Sequence, residues 1–408
     1  MNEPRQPIIY VTREIERALG MDPDSRYHIV TNRTDYGETM ERRYPGGITL
    51  IEDDGGAAGT GDLMMHPKTE GLYLQLSAGG EKPYILVFKN TARIEPLAHA
   101  KGWTLLNPPA ATSERVENKV SQVSWLAEAA RYLPPHRIEI MKDAKWNGRP
   151  FVLQWAHGHT GDGTIFVQDA DALAALATQF PERRARITDY VAGPAFTVNV
   201  IVTPETIALS TPSYQITGLP PFTDAKFATV GNDWGYARKA LSPADLEWFR
   251  TVGAELGMKM QKLFWRGLFG IDAVRDAATG EMHLIEVNAR QPASTTYESR
   301  LQERLRQSGA ADGMTTFEAH LAALLGSPLK KPLIPLADGA QVIQRVTASV
   351  KSMPVDAAGS LELAGFETVS YQNTEENADL LRIQSGTSIM ESDGVLNETG
   401  RQIIDALS

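Results

Sequence analysis

Asp272, Glu286 and Asn288 are the residues whose types and spacing carry the clearest chemistry. They stand in two strand-like runs, Leu268–Arg275 and Met282–Asn288, separated by a turn at Asp276–Gly280. Strand alternation points Glu286 and Asn288 to one face and Val287 to the other. With the turn centred near Ala278, Asp272 falls level with them on the neighbouring strand, which gathers two carboxylates and an amide oxygen. Hard oxygen ligands of this kind suit Mg²⁺, which keeps several waters and bridges to nucleotide phosphates. An acidic hairpin edge facing solvent has the same composition, so the residues upstream decide between the two.

Upstream, His157-Gly158-His159-Thr160-Gly161-Asp162-Gly163-Thr164 lies between the strand-like runs Pro150–Trp155 and Thr164–Gln168. A glycine hairpin at this point could fold over phosphates and donate backbone N–H groups. A plain turn would use the same glycines, and the two histidines lack a third ligand for zinc. Asp189-Tyr190-Val191, followed by Gly193-Pro194 and the run Phe196–Val202, reads from its residues as a buried strand pair turning at Gly-Pro. Lys119 reads as a helix-surface lysine. The stretch holding Tyr214-Gln215, Lys226-Phe227, Gly231–Trp234 and Arg238 shows little regular pattern and reads as a long polar loop, a common place for function in an α/β domain.

Taken in order, these segments resemble the ATP-grasp ligases. Ile285-Glu286-Val287-Asn288-Ala289-Arg290 is similar to their E-x-N-x-R signature, and Gly267-Leu268-Phe269-Gly270-Ile271-Asp272-Ala273 to their G-x-x-G-h-D strand. The resemblance runs from about Asn107 to Arg300. It implies that Asp272, Glu286 and Asn288 hold one or two Mg²⁺ ions, with Mn²⁺ as a substitute, against the phosphates of ATP, and that Arg290 stabilises the transferring phosphoryl group. It further implies that Lys119 and Gln154 lie on phosphate. His159, Thr160, Gly161, Gly163 and Thr164 become the phosphate-covering loop, and Asp189, Tyr190 and Val191 the adenine hinge. The family usually has a second lysine where this chain has Gln154, which can hydrogen-bond a phosphate but brings no charge. Thr188 and Ala195 stand where glutamates are usual. Lys226 and Arg238 could then reach the γ-phosphate or an acyl phosphate and restore the missing charge.

The elements that must position these residues divide the chain in three. Strand and helix patterns alternate through residues 1–112, with Pro7–Val11, Tyr27–Val30, Ile48–Ile51 and Tyr84–Phe88 as strands, predicting an N-terminal α/β layer. Asp53–Asp62 reads as a surface loop. Residues 113–330 hold a helix over Ser113–Arg131, the strands and loops above, and a helix opened by Ser242-Pro243. Residues 331–408 read as a small C-terminal α+β region ending in an amphipathic helix near Arg401–Leu407. The resemblance assigns the middle segment the ATP-grasp fold and the first the pre-ATP-grasp domain.

Composition excludes several classes. With 408 residues, 42% apolar and 22% charged, the chain has the profile of a folded globular protein. A formal charge of −10 disfavours nucleic acid as a partner. The absence of cysteine removes disulfides, thiolate metal sites and cysteine nucleophiles. No apolar run is long enough for a membrane span, and the polar Met1–Gln6 lacks a secretory pattern, so a cytoplasmic protein is expected. By resemblance it joins a small-molecule carboxylate to an amine by way of an acyl phosphate, with a homodimer compatible with everything above. A small-molecule kinase and a noncatalytic nucleotide-binding protein are the rival readings. Gln291-Pro292 departs from the longer pattern of biotin carboxylases, so biotin is not the expected acceptor.

Overall fold

A computed structural model describes residues 6–52, 56–156 and 163–407. Its first unit is a five-stranded, all-parallel sheet in the order Ile48–Ile51, Tyr27–Asn32, Ile8–Val11, Tyr84–Val87, Thr104–Leu105. The central strand reads Ile-Ile-Tyr-Val without a polar residue because a parallel sheet is covered on both faces. Alternation sends Ile8 and Tyr10 into one core and Ile9 and Val11 into another. The first of these cores also takes Phe317, Leu321 and Leu324 from helix Thr316–Leu324. Tyr10 and Phe317 stack with ring centroids 6.3 Å apart, which fixes the N-terminal sheet to the rest of the chain.

Two larger antiparallel sheets follow, besides the two-stranded antiparallel pair Met390–Ser392 and Val395–Leu396. The smaller runs His136–Ile140, Arg184–Asp189, Phe151–Trp155, Thr164–Val167 and is backed by helix Ala170–Gln179. Asp169 caps that helix by accepting from Ala172 N. The larger has nine strands, beginning Met282–Asn288, Gly267–Arg275, Ala195–Val202, Ser213–Thr217, Thr229–Asp233. It continues through Ala340–Arg345, Asp379–Ser385 and Glu367–Ser370, so the C-terminal strands extend the sheet that carries the hairpin. Helix Pro243–Gln261, closed at its start by a Ser242/Asp245 capping box, packs Phe249, Val252, Leu256 and Met260 against it.

Several local expectations change. Ser113–Arg131 is two helices, Ala110–Glu117 and Lys119–Leu126, followed by a 3-10 turn. Asn118 makes the break, since its Oδ1 accepts from Val120 N at 3.0 Å and Ser121 N at 3.2 Å and starts a new helix. The runs around Gly193-Pro194 do not pair: Arg184–Asp189 belongs to the small sheet and Ala195–Val202 to the large one. Gly193 sits at φ +151°, where an added Cβ would lie 2.0 Å from the Arg275 carbonyl oxygen. The link can therefore lie flat on the hairpin, with Arg275 N donating to Pro194 O at 3.0 Å. The stretch read as a polar loop contains strands Ser213–Thr217 and Thr229–Asp233 and helix Trp234–Ala240. Within Asp53–Asp62, residues 53–55 lie outside the described residues; Gly56 and Ala57 line the central cleft and Thr60 begins helix Thr60–Met65.

Candidate active site

A cleft of about 1460 Å³ is lined by residues of the parallel sheet and of both larger antiparallel sheets. At its inner end a β-bulge between Asp272 and Ala273 shifts the hairpin register, so that Asp272 comes opposite Glu286 and Gly270 opposite Asn288. Asn288 Nδ2 donates to Asp272 Oδ2 at 2.8 Å, and Lys119 Nζ forms an ion pair with Glu286 Oε1. Burial first, and the Glu286 charge second, push the Asp272 carboxyl up to about 6, against a stabilising bond from Thr197. Burial acts on Glu286 in the same sense, but a quarter of its side chain faces the cleft, and Lys119, Arg290 and Arg186 together hold it below the usual carboxylate value.

The helix start delivers Lys119. Asn118 caps helix Lys119–Leu126, and Lys119 N donates to Ala156 O at 3.1 Å, tying the helix to the strand that carries Gln154. Lys119 is thus 6% exposed, buried in the cleft wall. Burial lowers its ammonium pKa, opposed by Glu286. Arg290 also lines the cleft, where its Nη1 donates to Glu117 Oε1 at 2.5 Å. Glu117 takes Lys89 Nζ on its other oxygen at 2.5 Å, so one carboxylate restrains two cations.

Gln154, Gly163, Thr164, Asp189, Tyr190 and Val191 all line the same cleft, while His159, Thr160 and Gly161 lie outside the described residues. Lys226 reaches the cleft from the loop before Thr229, with Nζ 3.8 Å from the Phe166 ring centroid and 5.1 Å from that of Tyr190. Arg238 does not join them. It is exposed on helix Trp234–Ala240 and takes no part in the cleft lining, because that segment is helix and not an extended loop able to fold inward.

Several cleft residues carry no signature of their own in the sequence. Arg186, 1% exposed, sits between Gln154, Gln122 and the hairpin. At the far end of the cleft a chain of bonds crosses the large sheet: Arg382 Nη1 to Gln341 Oε1 at 3.4 Å, Gln341 Nε2 to Asn232 Oδ1 at 3.3 Å, and Asn232 Nδ2 to Ser213 Oγ at 3.0 Å. Arg382 Nε donates to the Tyr371 hydroxyl at 3.1 Å, and that hydroxyl bonds Glu16 of the N-terminal unit. Alternation of Ser213, Gln215 and Thr217 with apolar Tyr214 and Ile216 was the available signal for this polar face.

The donor set fits Mg²⁺ held jointly with nucleotide phosphates. No cluster of three histidine or acidic residues occurs among the described residues; two carboxylates and one amide oxygen are what Mg²⁺ uses when phosphates and water complete its shell. Among the described residues, no helix is long and apolar enough to cross a membrane.

No protein-family model matches the chain, and no curated protein is similar to it in sequence. Solved structures are similar over nearly the full length. N5-carboxyaminoimidazole synthetase from Staphylococcus aureus, complexed with ADP, superposes with a TM-score of 0.62 at 12% identity, covering 100% of this chain and 99% of that one. Carboxyaminoimidazole ribonucleotide synthase from Aspergillus clavatus, complexed with ATP, gives 0.63 at 14% identity and 98% of each chain. The biotin carboxylase domain dimer of Hydrogenobacter thermophilus 2-oxoglutarate carboxylase, holding MgADP and bicarbonate, gives 0.59 at 12% identity, covering 93% of this chain and 85% of that one. The fold is the ATP-grasp fold with its N-terminal α/β domain.

Proposed function

We propose that this chain is an ATP- and Mg²⁺-dependent ligase that activates a carboxylate as an acyl phosphate and passes the acyl group to an amine, releasing ADP and phosphate. The observation that carries the proposal is the inner end of the cleft, where Asp272, Glu286 and Asn288 converge in register beside Lys119. A carboxylate oxygen of the substrate attacks the γ-phosphorus of ATP and the bond to the β-phosphate oxygen breaks. The amine nitrogen then attacks the acyl carbon, and phosphate leaves. Mg²⁺ held by the hairpin would neutralise phosphate charge as it moves between oxygens. Lys119 and Arg290 are aimed by their carboxylate partners and supply fixed positive charge. Asp189, Tyr190 and Val191 offer backbone groups to adenine from the link between the two antiparallel sheets.

The fold neighbours that hold ADP, ATP or MgADP support this reading. The second substrate is placed in the polar far end, between Arg382, Asn232, Tyr371 and the N-terminal unit. We take both substrates to be small molecules, the protein to be cytoplasmic, and residues 1–112, 113–330 and 331–408 to be the functional divisions. A homodimer is proposed by analogy with the biotin carboxylase domain dimer. Measuring ADP release with Mg·ATP across a panel of carboxylates, bicarbonate included, with and without amines tests the function. ADP formation that requires an amine, with free phosphate as coproduct, is the expected result. Phosphate retained on the substrate would make the chain a kinase, and no turnover with any pair would make it a binding protein.

A further inference from the structure

Gln154 stands where the cleft would gain most from a cation, and the residue opposite it in register on the next strand is Arg186. Arg186 Nε and Nη2 both donate to Gln154 Oε1, at 3.0 and 2.6 Å. Its Nη1 donates to Gln122 Oε1 at 2.9 Å and its Nη2 to the Ile285 carbonyl at 2.8 Å. Gln122 is locked in turn, since its Nε2 donates to Val116 O at 2.6 Å. Among the described residues, no carboxylate forms an ion pair with Arg186. A guanidinium offers only donors, so an amide facing it must present oxygen. The orientation of Gln154 is therefore fixed by Arg186, and its Nε2 lies on the other side, 3.4 Å from Thr164 Oγ1 on the paired strand.

We infer that Arg186 and Gln154 act as one phosphate-binding unit, in which Arg186 is a positioning residue that supplies charge from behind and Gln154 presents the polarised N–H donors to the nucleotide phosphates. The inference rests on the reading of the cleft as a Mg·ATP site. Burial lowers the Arg186 pKa to about 10, which leaves it protonated at neutral pH. The Glu286 carboxylate, which Arg186 shares with Lys119 and Arg290, offsets part of the cost of holding this guanidinium out of water. The arrangement gains a further counter-charge when phosphate enters the cleft beside it. Cooperative polarisation strengthens the outward donors of Gln154, since each carbonyl bond it accepts draws electron density from its amide nitrogen.

The diagnostic variant is Gln154→Glu, which keeps both contacts to Arg186 as a buried ion pair but turns an acceptor with negative charge toward the phosphates. Affinities of the full-length wild type, Gln154→Glu and Arg186→Lys for Mg·ATP and for adenosine are measured by calorimetry, with thermal melts as the check on folding. Gln154→Glu should melt no lower than the wild type and bind Mg·ATP at least about tenfold more weakly, the scale of a charge-assisted bond, with adenosine affinity unchanged. Arg186→Lys keeps the charge but not the fork, and should lose less than Gln154→Glu. Unchanged ATP affinity in Gln154→Glu, or equal loss for adenosine and ATP, overturns the inference. Absence of ATP binding by the wild type overturns the functional reading beneath it.

Discussion

Lys119 and Glu286 are ion-paired across the inner end of the cleft, Nζ on Oε1, so the carboxylate expected to face Mg²⁺ is held in place by the ammonium expected to face phosphate. Glu286→Gln keeps the shape of the side chain but removes its charge and leaves the Lys119 ammonium without its ion-pair partner. It should abolish Mg·ATP-dependent ADP release, by at least about a hundredfold as for other fixed charges at phosphoryl and acyl transfer centres, while far-UV circular dichroism stays that of the wild type. Full activity in this variant sinks the assignment of the hairpin.

Asn118 connects a local backbone device to this pair. Its side chain caps the helix whose first residue is Lys119. Asn118→Ala should cost about 1 kcal/mol of stability in denaturant titration and raise KM for ATP more than it lowers kcat, as expected if Lys119 binds phosphate in the ground state and the transition state alike. A purely structural cap would lower stability without moving KM.

Two buried groups away from Asp272, Glu286 and Asn288 give stability opposite slopes with pH. His320 accepts from Leu268 N at 3.0 Å on Nδ1, and burial lowers its pKa from 6.5 to about 3. The unfolded chain takes up a proton there that the native one refuses, so its contribution is complete above 6.5 and is lost as pH falls toward 3. Glu298 is fully buried and receives Asn199 Nδ2 at 2.6 Å; burial raises its pKa from 4.5 to about 7. The native chain holds that proton after the unfolded one has released it, so stability falls as pH rises from 4.5 to 7. Between 4.5 and 6.5 the slopes oppose each other, each at most about 1.4 kcal/mol per pH unit. The stability of wild type minus that of Glu298→Gln should therefore decline with rising pH across this window in urea titrations. The same difference for His320→Gln should rise with it. A flat difference in either series contradicts the stated cause.

Lys226 tests the aromatic side of the cleft. Its ammonium lies over Phe166 and near Tyr190 and Phe227. If it reaches the transferring phosphoryl group during turnover, Lys226→Met should lower kcat by about tenfold or more with little change in melting temperature, since a partly exposed cation–π contact contributes only about 0.5–1 kcal/mol. A drop in stability with unchanged kcat would make it a structural contact.

What could be read in the sequence was whatever one strand or one turn decides alone. The hairpin followed from alternation on either side of Asp276–Gly280, and the strand Ile8–Val11 from its unbroken apolar run, whereas the bulge that sets Asp272 opposite Glu286 left no mark in the sequence. The helix break at Asn118 was hidden because Val116, Val120 and Val123 continue a helical stripe through it. Arg186 was hidden because a buried arginine acquires meaning only from partners on other strands, here Gln154 and Gln122. The strands of Ser213–Thr217 and Thr229–Asp233 read as loop because their polar faces, which would be exposed in an isolated sheet, point into a cleft roofed by the N-terminal unit. Arg238, read as part of the same polar loop, stands on the exposed side of helix Trp234–Ala240 and outside the cleft.

The central claim is that the hairpin binds nucleotide through Mg²⁺. Calorimetric titration of ATP into the wild type and into Asp272→Asn, with Mg²⁺ and again with EDTA, tests it most directly. The account predicts saturable single-site binding in the wild type that weakens by at least about tenfold when Mg²⁺ is chelated, and no such Mg²⁺ dependence in Asp272→Asn. ATP binding that is equally tight with and without Mg²⁺, or the same Mg²⁺ dependence in both proteins, would contradict it.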